Sequence, residues 1–382
     1  MSTTTAVADL EPALRVSTLE LFFDLVFVFT ITQLTAVLAE DLSGPGLLRV
    51  LLMLGVIWWM YGGYAWLTNA VAPSSGLRRG LLITGMGGFL VVALAVPEAF
   101  GGAGWAFGAA YFVVNAVHTG LFLLAGGRGA ARVMRWLGPL NAGTAGLVLV
   151  GGLAPPSWRY GCWTVALVVQ VISPYLHPIG GFTIGPAHFV ERHGLVVIVA
   201  LGESVVAIGA GAGGVGQHLD GGLVAMAVLG LVVAYLLWWA YFGRGEEAAE
   251  ESLAGIVDPQ QRARAALHAF GYAHLPLLLG VVALAAGVKK AIGHAGGSLP
   301  VAPALALGGG VALFLAANAA YLRILAIGGA RYRVAGAAAA LATVPLAAVA
   351  AWVQLVGLVV ALAAIAGAER LAGAADLSGA RP

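Results

Sequence analysis

Charge is what this chain has least of: 9% of its 382 residues are Asp, Glu, Lys or Arg, against 60% that are hydrophobic, whereas soluble domains carry about a quarter charged residues. A water-soluble globular surface is excluded. Cysteine is almost absent too. Cys162 stands alone, which rules out an intrachain disulfide and a cysteine metal cage and leaves the redox compartment open. No metal-ligand spacing such as H-E-x-x-H occurs, and "GAGAGGVG" at 209–216 follows an apolar run rather than a strand, so it reads as a loop and not as a phosphate cradle. A net charge of +2, without a Lys/Arg cluster beside stacking aromatics, argues against nucleic acid as a partner. No catalytic constellation, cofactor or metal is expected. The first residues lack the basic n-region, short apolar core and small-residue cleavage site of a signal peptide, so 1–18 is expected to stay as a short cytoplasmic tail.

What is present is hydrophobic length. Apolar runs of about 20 residues, enough to cross a hydrocarbon core of about 30 Å as helices, recur along the chain, whose mean hydropathy is +0.95. Charged and Gly/Pro-rich breaks place helices near 19–39, 46–69, 79–98, 104–125, 134–153, 160–177, 187–210, 221–243, 264–288, 301–327, 332–349 and 353–369. The reading is an all-α polytopic membrane protein of about 12 transmembrane helices. Eleven is the competing count, because only Pro345 and Gln354 hint at a turn between the last two. Of the 19 Lys and Arg, all except Arg49, Arg159, Lys289 and Lys290 fall on the side of the N-terminus. Cytoplasmic connections carry the excess of cations, so both termini are expected in the cytoplasm.

The halves echo one another. "ELFFDLVFVFTITQLT" from Glu20 parallels "ERHGLVVIVALGESVV" from Glu191, "WWMYGGY" at Trp58 parallels "WWAYFG" at Trp238, and "YFVVNAV" around Asn115 parallels "LFLAANAAY" around Asn318. This predicts two six-helix repeats of the same orientation, at 19–180 and 187–370, followed by a cytoplasmic tail at 371–382. Aligned so, Thr32 lies opposite Glu203.

A few polar residues carry the functional signal. Glu203 sits near the middle of the seventh apolar run, where a charge costs roughly 3 kcal/mol on insertion scales. It must be protonated, paired across helices or lining a wet cavity, and each of those states suits proton binding. Ser204, Thr32, Gln33, Thr35, Asn115 and His118 are its candidate partners. Glu20 suits the first turn of the first helix, whereas Asp24 lies a turn deeper among apolar neighbours and needs a buried contact. His188, Glu191 and Arg192 share a helix face and, with Glu20, form a charge cluster at the cytoplasmic end. His274 precedes Pro276 in "LHAFGYAHLPLLLG", where a broken helix beside His can mark a substrate path. The ion or substrate path candidates are therefore Glu203, Asp24, Ser204, Thr32, Asn115, His118 and His274.

"STLELFFDLVFVFTITQL", "HFVERHGLVVIVALGESV", "WWAYF" and "HLPLLLGVVALAAG" together resemble the bacterial low temperature requirement protein A family, and the likeness runs end to end. The resemblance implies a multi-pass protein of the bacterial plasma membrane, associated by family name with growth in the cold. It carries no settled activity. Motif positions that match are Glu20, Asp24, Glu191, Arg192, Gly202, Glu203 and Ser204. The leading expectation is a proton- or cation-coupled transporter or channel using intramembrane acids, with the lipid bilayer and an unknown small solute or ion as partners and with homo-oligomers allowed by the Gly-rich helix faces. The alternative is an intramembrane lipid-modifying enzyme or membrane-homeostasis factor.

Overall fold

A computed structural model describes residues 17–71, 75–182, 184–213, 220–243, 245–294 and 296–379, without the side chains of 213 and 373–379. Apart from Ser17 and Thr18, the expected N-terminal tail lies outside the described residues. Helix is the only regular structure among those described. The α-helices are α1 Thr18–Glu40, α2 Gly44–Ala70, α3 Gly76–Ala95, α4 Gly104–Ala125, α5 Gly127–Leu153, α6 Pro156–Leu176, α7 Pro186–Gly213, α8 Gly221–Phe242, α9 Glu246–Gly255, α10 Pro259–Ala266, α11 His274–Ile292, α12 Val301–Ile324, α13 Ala330–Ala342 and α14 Ala351–Gly379.

Local chemistry sets the helix starts. Ser17 and Glu20 form a capping box at α1, the Ser17 amide donating to Glu20 Oε2 at 2.8 Å. Ser43 and Ser75 cap α2 and α3, Asp220 caps α8, and Asp258 with Pro259 opens α10. Between α1 and α2, the Ser43 side chain and amide, with Arg49, hold the partly exposed Asp41 carboxyl below its usual range.

Among the described residues, ten helical runs are long and apolar enough to cross a membrane. Two of the expected spans are not among them. The sixth, α6, carries Arg159 and Gln170; the eleventh, α13, has 13 residues before the chain tightens into a 3₁₀ turn at Val344–Ala348, where Pro345 stands. Other boundaries also differ from expectation. The stretch from Gly209 to Gly213 continues α7 as helix instead of forming a loop, and 214–216 lie outside the described residues. Much of the connection left between the expected helices 221–243 and 264–288 is the acidic helix α9 and the start of α10. The expected tail at 371–382 begins as a continuation of α14 to Gly379.

The ninth expected span is three elements in line: α10, a π-helical segment Leu267–Tyr272, and α11. Pro276 cannot donate to the carbonyl of Tyr272, four residues back. The chain widens just before that point, with the Ala273 amide donating to His268 O, five residues back, at 3.0 Å.

Within the first six helices, α1 packs on α2 and α3, α2 packs on α4 and α6, and α3 to α6 pack as sequential neighbours. In the second set, α7 packs on α8 and α11, α8 packs on α12 and α14, and α11 to α14 pack sequentially. The two sets meet through α1 and α2 against α7 and α11. Leu21, Phe22, Leu25, Ile83 and Leu94 are among many large apolar side chains exposed on the outside, as lipid-facing positions require.

Lipid tails are as apolar as leucine, so helices associate in a bilayer through close packing of small residues. Gly280 and Gly310 supply this between α11 and α12. A Cβ on Gly310 would lie 2.6 Å from the Leu284 amide nitrogen, and one on Gly280 would lie 2.7 Å from Gly310 O. Gly310→Val is expected to destabilise the protein by about 3 kcal/mol, the upper end of overpacking costs. Gly309→Val, whose Cβ meets nothing within 4 Å, is the control. Thermal unfolding in detergent checks the pair, and equal melting temperatures would contradict the packing argument.

Candidate functional site

Glu20, Asp24, Thr32, His188, Arg192 and Glu203, all singled out in the sequence, meet at the seam between α1 and α7. Arg192, 1% exposed, lies with Nη1 2.9 Å from Glu20 Oε1 and Nη2 3.3 Å from Asp24 Oδ1. The Tyr61 hydroxyl of α2 donates to the same Asp24 oxygen at 2.6 Å. The Phe23 and Tyr61 rings flank the guanidinium at 5.5 and 5.7 Å, in reach for cation–π attraction. One buried cation thus serves two buried carboxylates.

His188 completes this end. The Asn69 amide is oriented by Gly185, whose N–H donates to Asn69 Oδ1 at 2.9 Å and whose carbonyl accepts from Nδ2 at 3.2 Å. Asn69 Nδ2 also donates to His188 Nδ1 at 3.1 Å. The proton of a neutral His188 is therefore on Nε2, 3.1 Å from Glu20 Oε1. Glu191, expected in the same cluster, is exposed, and its charge acts instead on Glu246 of α9.

From Arg192 to Glu203 α7 climbs roughly 16 Å, past the buried Val196 and Ala200, with Phe27 and Ile31 buried along α1. Glu203 is 3% exposed, and its partner is Thr32: the hydroxyl lies 2.5 Å from Glu203 Oε2 and 3.2 Å from Val28 O. That hydroxyl can serve either protonation state. It donates to the carboxylate when Glu203 is ionised; when Glu203 is protonated, it accepts that proton and donates to Val28 O. The charge of Lys289, in the last turn of α11, also acts on Glu203. Ser204 and Thr35 are buried with hydroxyls that have no hydrogen-bond partner among the described residues.

Other candidates lie elsewhere. Asn115 donates within its own helix to Tyr111 O at 3.3 Å. His118 faces a separate cavity of about 90 Å³ lined also by Trp58, Trp59, Trp66, Asn141 and His193; Glu203 is not among the lining residues. His274 is fully engaged, Nδ1 donating to Ala269 O and Nε2 accepting from the Tyr241 hydroxyl, both at 2.8 Å. It is a fixed strut beside the π segment.

Tyr61, Asn69, His193 and Lys289 were not singled out by sequence reasoning. "WWMYGGY" held the only cue for Tyr61, and His193 was hidden beside the more conspicuous Arg192. A second buried network was also missed: Arg333 of α13 donates to Asn318 Oδ1 of α12 at 2.9 Å, pairs with Glu369 of α14 at 2.6 Å and donates to Ala240 O of α8 at 2.8 Å. It fastens the last three helices to α8.

Fold and site together define a polytopic helical membrane protein with buried, paired charges between its first and seventh helices. The family model for the bacterial low temperature requirement A protein (LtrA) matches residues 15–367. The chain belongs to that family. It is also 32% identical over 318 residues, covering 78% of this chain and 74% of its relative, to an uncharacterized protein of Rhizobium meliloti (strain 1021). No solved structure matches.

Proposed function

We propose that this protein is a proton- or cation-coupled transporter or channel of the bacterial plasma membrane, with Glu203 as the group that loads and releases the ion. The observation that carries this reading is the Glu203–Thr32 contact. An acid buried in the interior of an apolar span meets a hydroxyl that can donate to it when it is charged and accept from it when it is neutral. A purely structural acid is better served by a direct ion pair, as Glu20 and Asp24 are by Arg192, whereas among the described residues Lys289 acts on Glu203 with no direct ion-pair contact. Phe27, Ile31, Val196 and Ala200 separate Glu203 from that cluster, so ion passage requires a second arrangement of α1 against α7, as alternating access does.

The architecture proposed with it is two six-helix repeats of the same orientation. Two features support it. Glu20 meets Arg192 and Thr32 meets Glu203 at nearly constant sequence separation, so α1 and α7 run parallel. Each packing partnership among α1 to α6 also has its counterpart among α7, α8 and α11 to α14. Thr32 and Glu203 then sit at equivalent positions, where a pseudo-twofold axis along the membrane normal brings equivalent residues into contact.

Cytoplasmic termini follow from the cation bias, and the four exceptions have local roles. Arg49 pairs with Asp41. Arg159 donates to the carbonyls of Ala99, Gly101, Gly151, Gly152 and Ala154, closing the corner where α5 ends. Lys289 and Lys290 lie in the last turn of α11, where cations favour the helix dipole.

Infrared difference spectroscopy during a pH step tests the loading role. The expected result is a protonated-carboxyl stretch that appears as pH falls and is missing in Glu203→Gln. A band unchanged in that variant, or no titrating carboxyl in the wild type, overturns the assignment.

A further inference from the structure

The cavity faced by His118 is separate from Glu203, which does not line it, although His193 of α7 forms part of its wall. It lies among α2, α4, α5, Pro174 of α6, Ile179, Phe182, His193 and the π-helical segment, and its volume is about 90 Å³. An engineered apolar cavity of about 150 Å³ takes benzene, and about 10 to 15 Å³ takes one water. This one therefore has room for more than a single water and for less than a bulky drug.

Its walls are chemically biased. Trp58, Trp59 and Trp66 line it together with further aromatic and thioether side chains. Trp58 is held in place because its indole N–H donates at 2.7 Å to the carbonyl of Gly271 in the π segment. No Asp, Glu, Lys or Arg is among the lining residues, so an ion entering there would lose its hydration without a counter-charge. Yet the cavity is not purely apolar. His118 contributes a buried imidazole to the wall, with both ring nitrogens closed off from the open space.

Two further polar groups belong to the same wall. His193 uses Nδ1 to donate to Phe189 O at 2.8 Å, which leaves Nε2 as an acceptor. Asn141 also lines the cavity, with its Oδ1 3.5 Å from Trp59 Nε1. Flat rings with a few convergent neutral polar groups are the composition of a small-molecule site.

We propose that this cavity binds a small, planar, uncharged ring molecule bearing one N–H or O–H, lying against the tryptophan-lined wall and donating to His193 Nε2. Two glycines make room for it. A Cβ on Gly63 would lie 2.9 Å from His118 Nε2, so glycine lets the imidazole lie against α2. Gly62 lines the cavity and its Cβ would meet nothing within 4 Å, so a side chain there extends into open space.

The test uses the purified full chain in detergent and pyrazole, a neutral five-membered ring with one donor and one acceptor. Thiophene, of similar size without a hydrogen-bonding N–H, is the comparison. Ligand-observed magnetic resonance and calorimetry are expected to show saturable pyrazole binding with Kd on the order of 1 mM, reasonable for five heavy atoms. Thiophene is expected to bind at least tenfold more weakly. His193→Leu and Gly62→Val are each expected to weaken pyrazole at least tenfold while their melting temperatures stay near that of the wild type. Gly62→Val fills the space and leaves His193 in place, so the two variants report on the space and the hydrogen bond separately. Glu203→Gln is expected to bind pyrazole as the wild type does, which keeps this site's outcome separate from the loading role of Glu203. No saturable binding by the wild type, or binding unchanged in both His193→Leu and Gly62→Val, overturns the proposal.

Discussion

Replacing Arg192 by methionine is expected to destabilise the protein by about 3 to 5 kcal/mol, the range seen when one member of a buried ion pair is removed. Methionine fills much of the same volume, so the loss is electrostatic. Glu20 and Asp24 are both buried, and the guanidinium is the cation that both of them meet. Without it, two carboxylates on adjacent turns of α1 are left to His188 and the Tyr61 hydroxyl. A neutral replacement of the whole group behaves differently, because well-packed uncharged residues often substitute for buried ion pairs at little cost. Glu20→Gln/Asp24→Asn/Arg192→Met is therefore expected to recover much of the stability lost by the single variant. Thermal unfolding of the detergent-solubilised protein reads both effects; a single variant as stable as the wild type would show that the cluster is not the fastening it looks to be.

The largest functional effect is expected from Glu203→Gln. Glutamine keeps the shape and can still hydrogen-bond Thr32, so the α1–α7 contact survives. It cannot take up or release a proton, and it carries no charge for a cation. Ion flux is expected to fall at least tenfold, to the level of protein-free liposomes, with the melting temperature little changed. The contact also allows a swap. Thr32→Glu alone sets two acids against each other across the seam and is expected to lose both stability and flux, while Thr32→Glu/Glu203→Thr restores one acid facing one hydroxyl and is expected to regain part of the flux. Failure of the swap to recover anything beyond Thr32→Glu would mean that helix identity, and not the pair, sets the activity.

Much of this was legible in the sequence because a bilayer makes polar residues conspicuous. Glu203 stood out as an acid in an apolar run, Asp24 as one too deep for a helix cap, and the repeat alignment set Thr32 opposite Glu203 before any contact was visible. The partners of Glu20 and Asp24 were not legible. Arg192 is read locally as belonging with His188 and Glu191, and only folding carries it across to α1. Asn115 and His118 were assigned to Glu203 by composition, yet α4 packs on α2, α3 and α5, which turns His118 toward the tryptophan-lined cavity. These helices are apolar on lipid-facing and core-facing sides alike, so hydrophobic periodicity could not indicate which face packs where. The π segment was hidden for another reason: Pro276 announces a defect, but where the chain widens to absorb it depends on packing around Trp58 and Gly271.

The central claim is that Glu203 lies in an ion path. Purified protein reconstituted in liposomes, with proton and potassium flux recorded under an imposed gradient, tests it most directly when wild type and Glu203→Gln are compared. The account predicts flux above protein-free liposomes for the wild type and none for the folded variant. Equal flux from both would contradict it, leaving Glu203 as a structural contact to Thr32, and no flux from either would shift the reading toward a lipid-modifying enzyme.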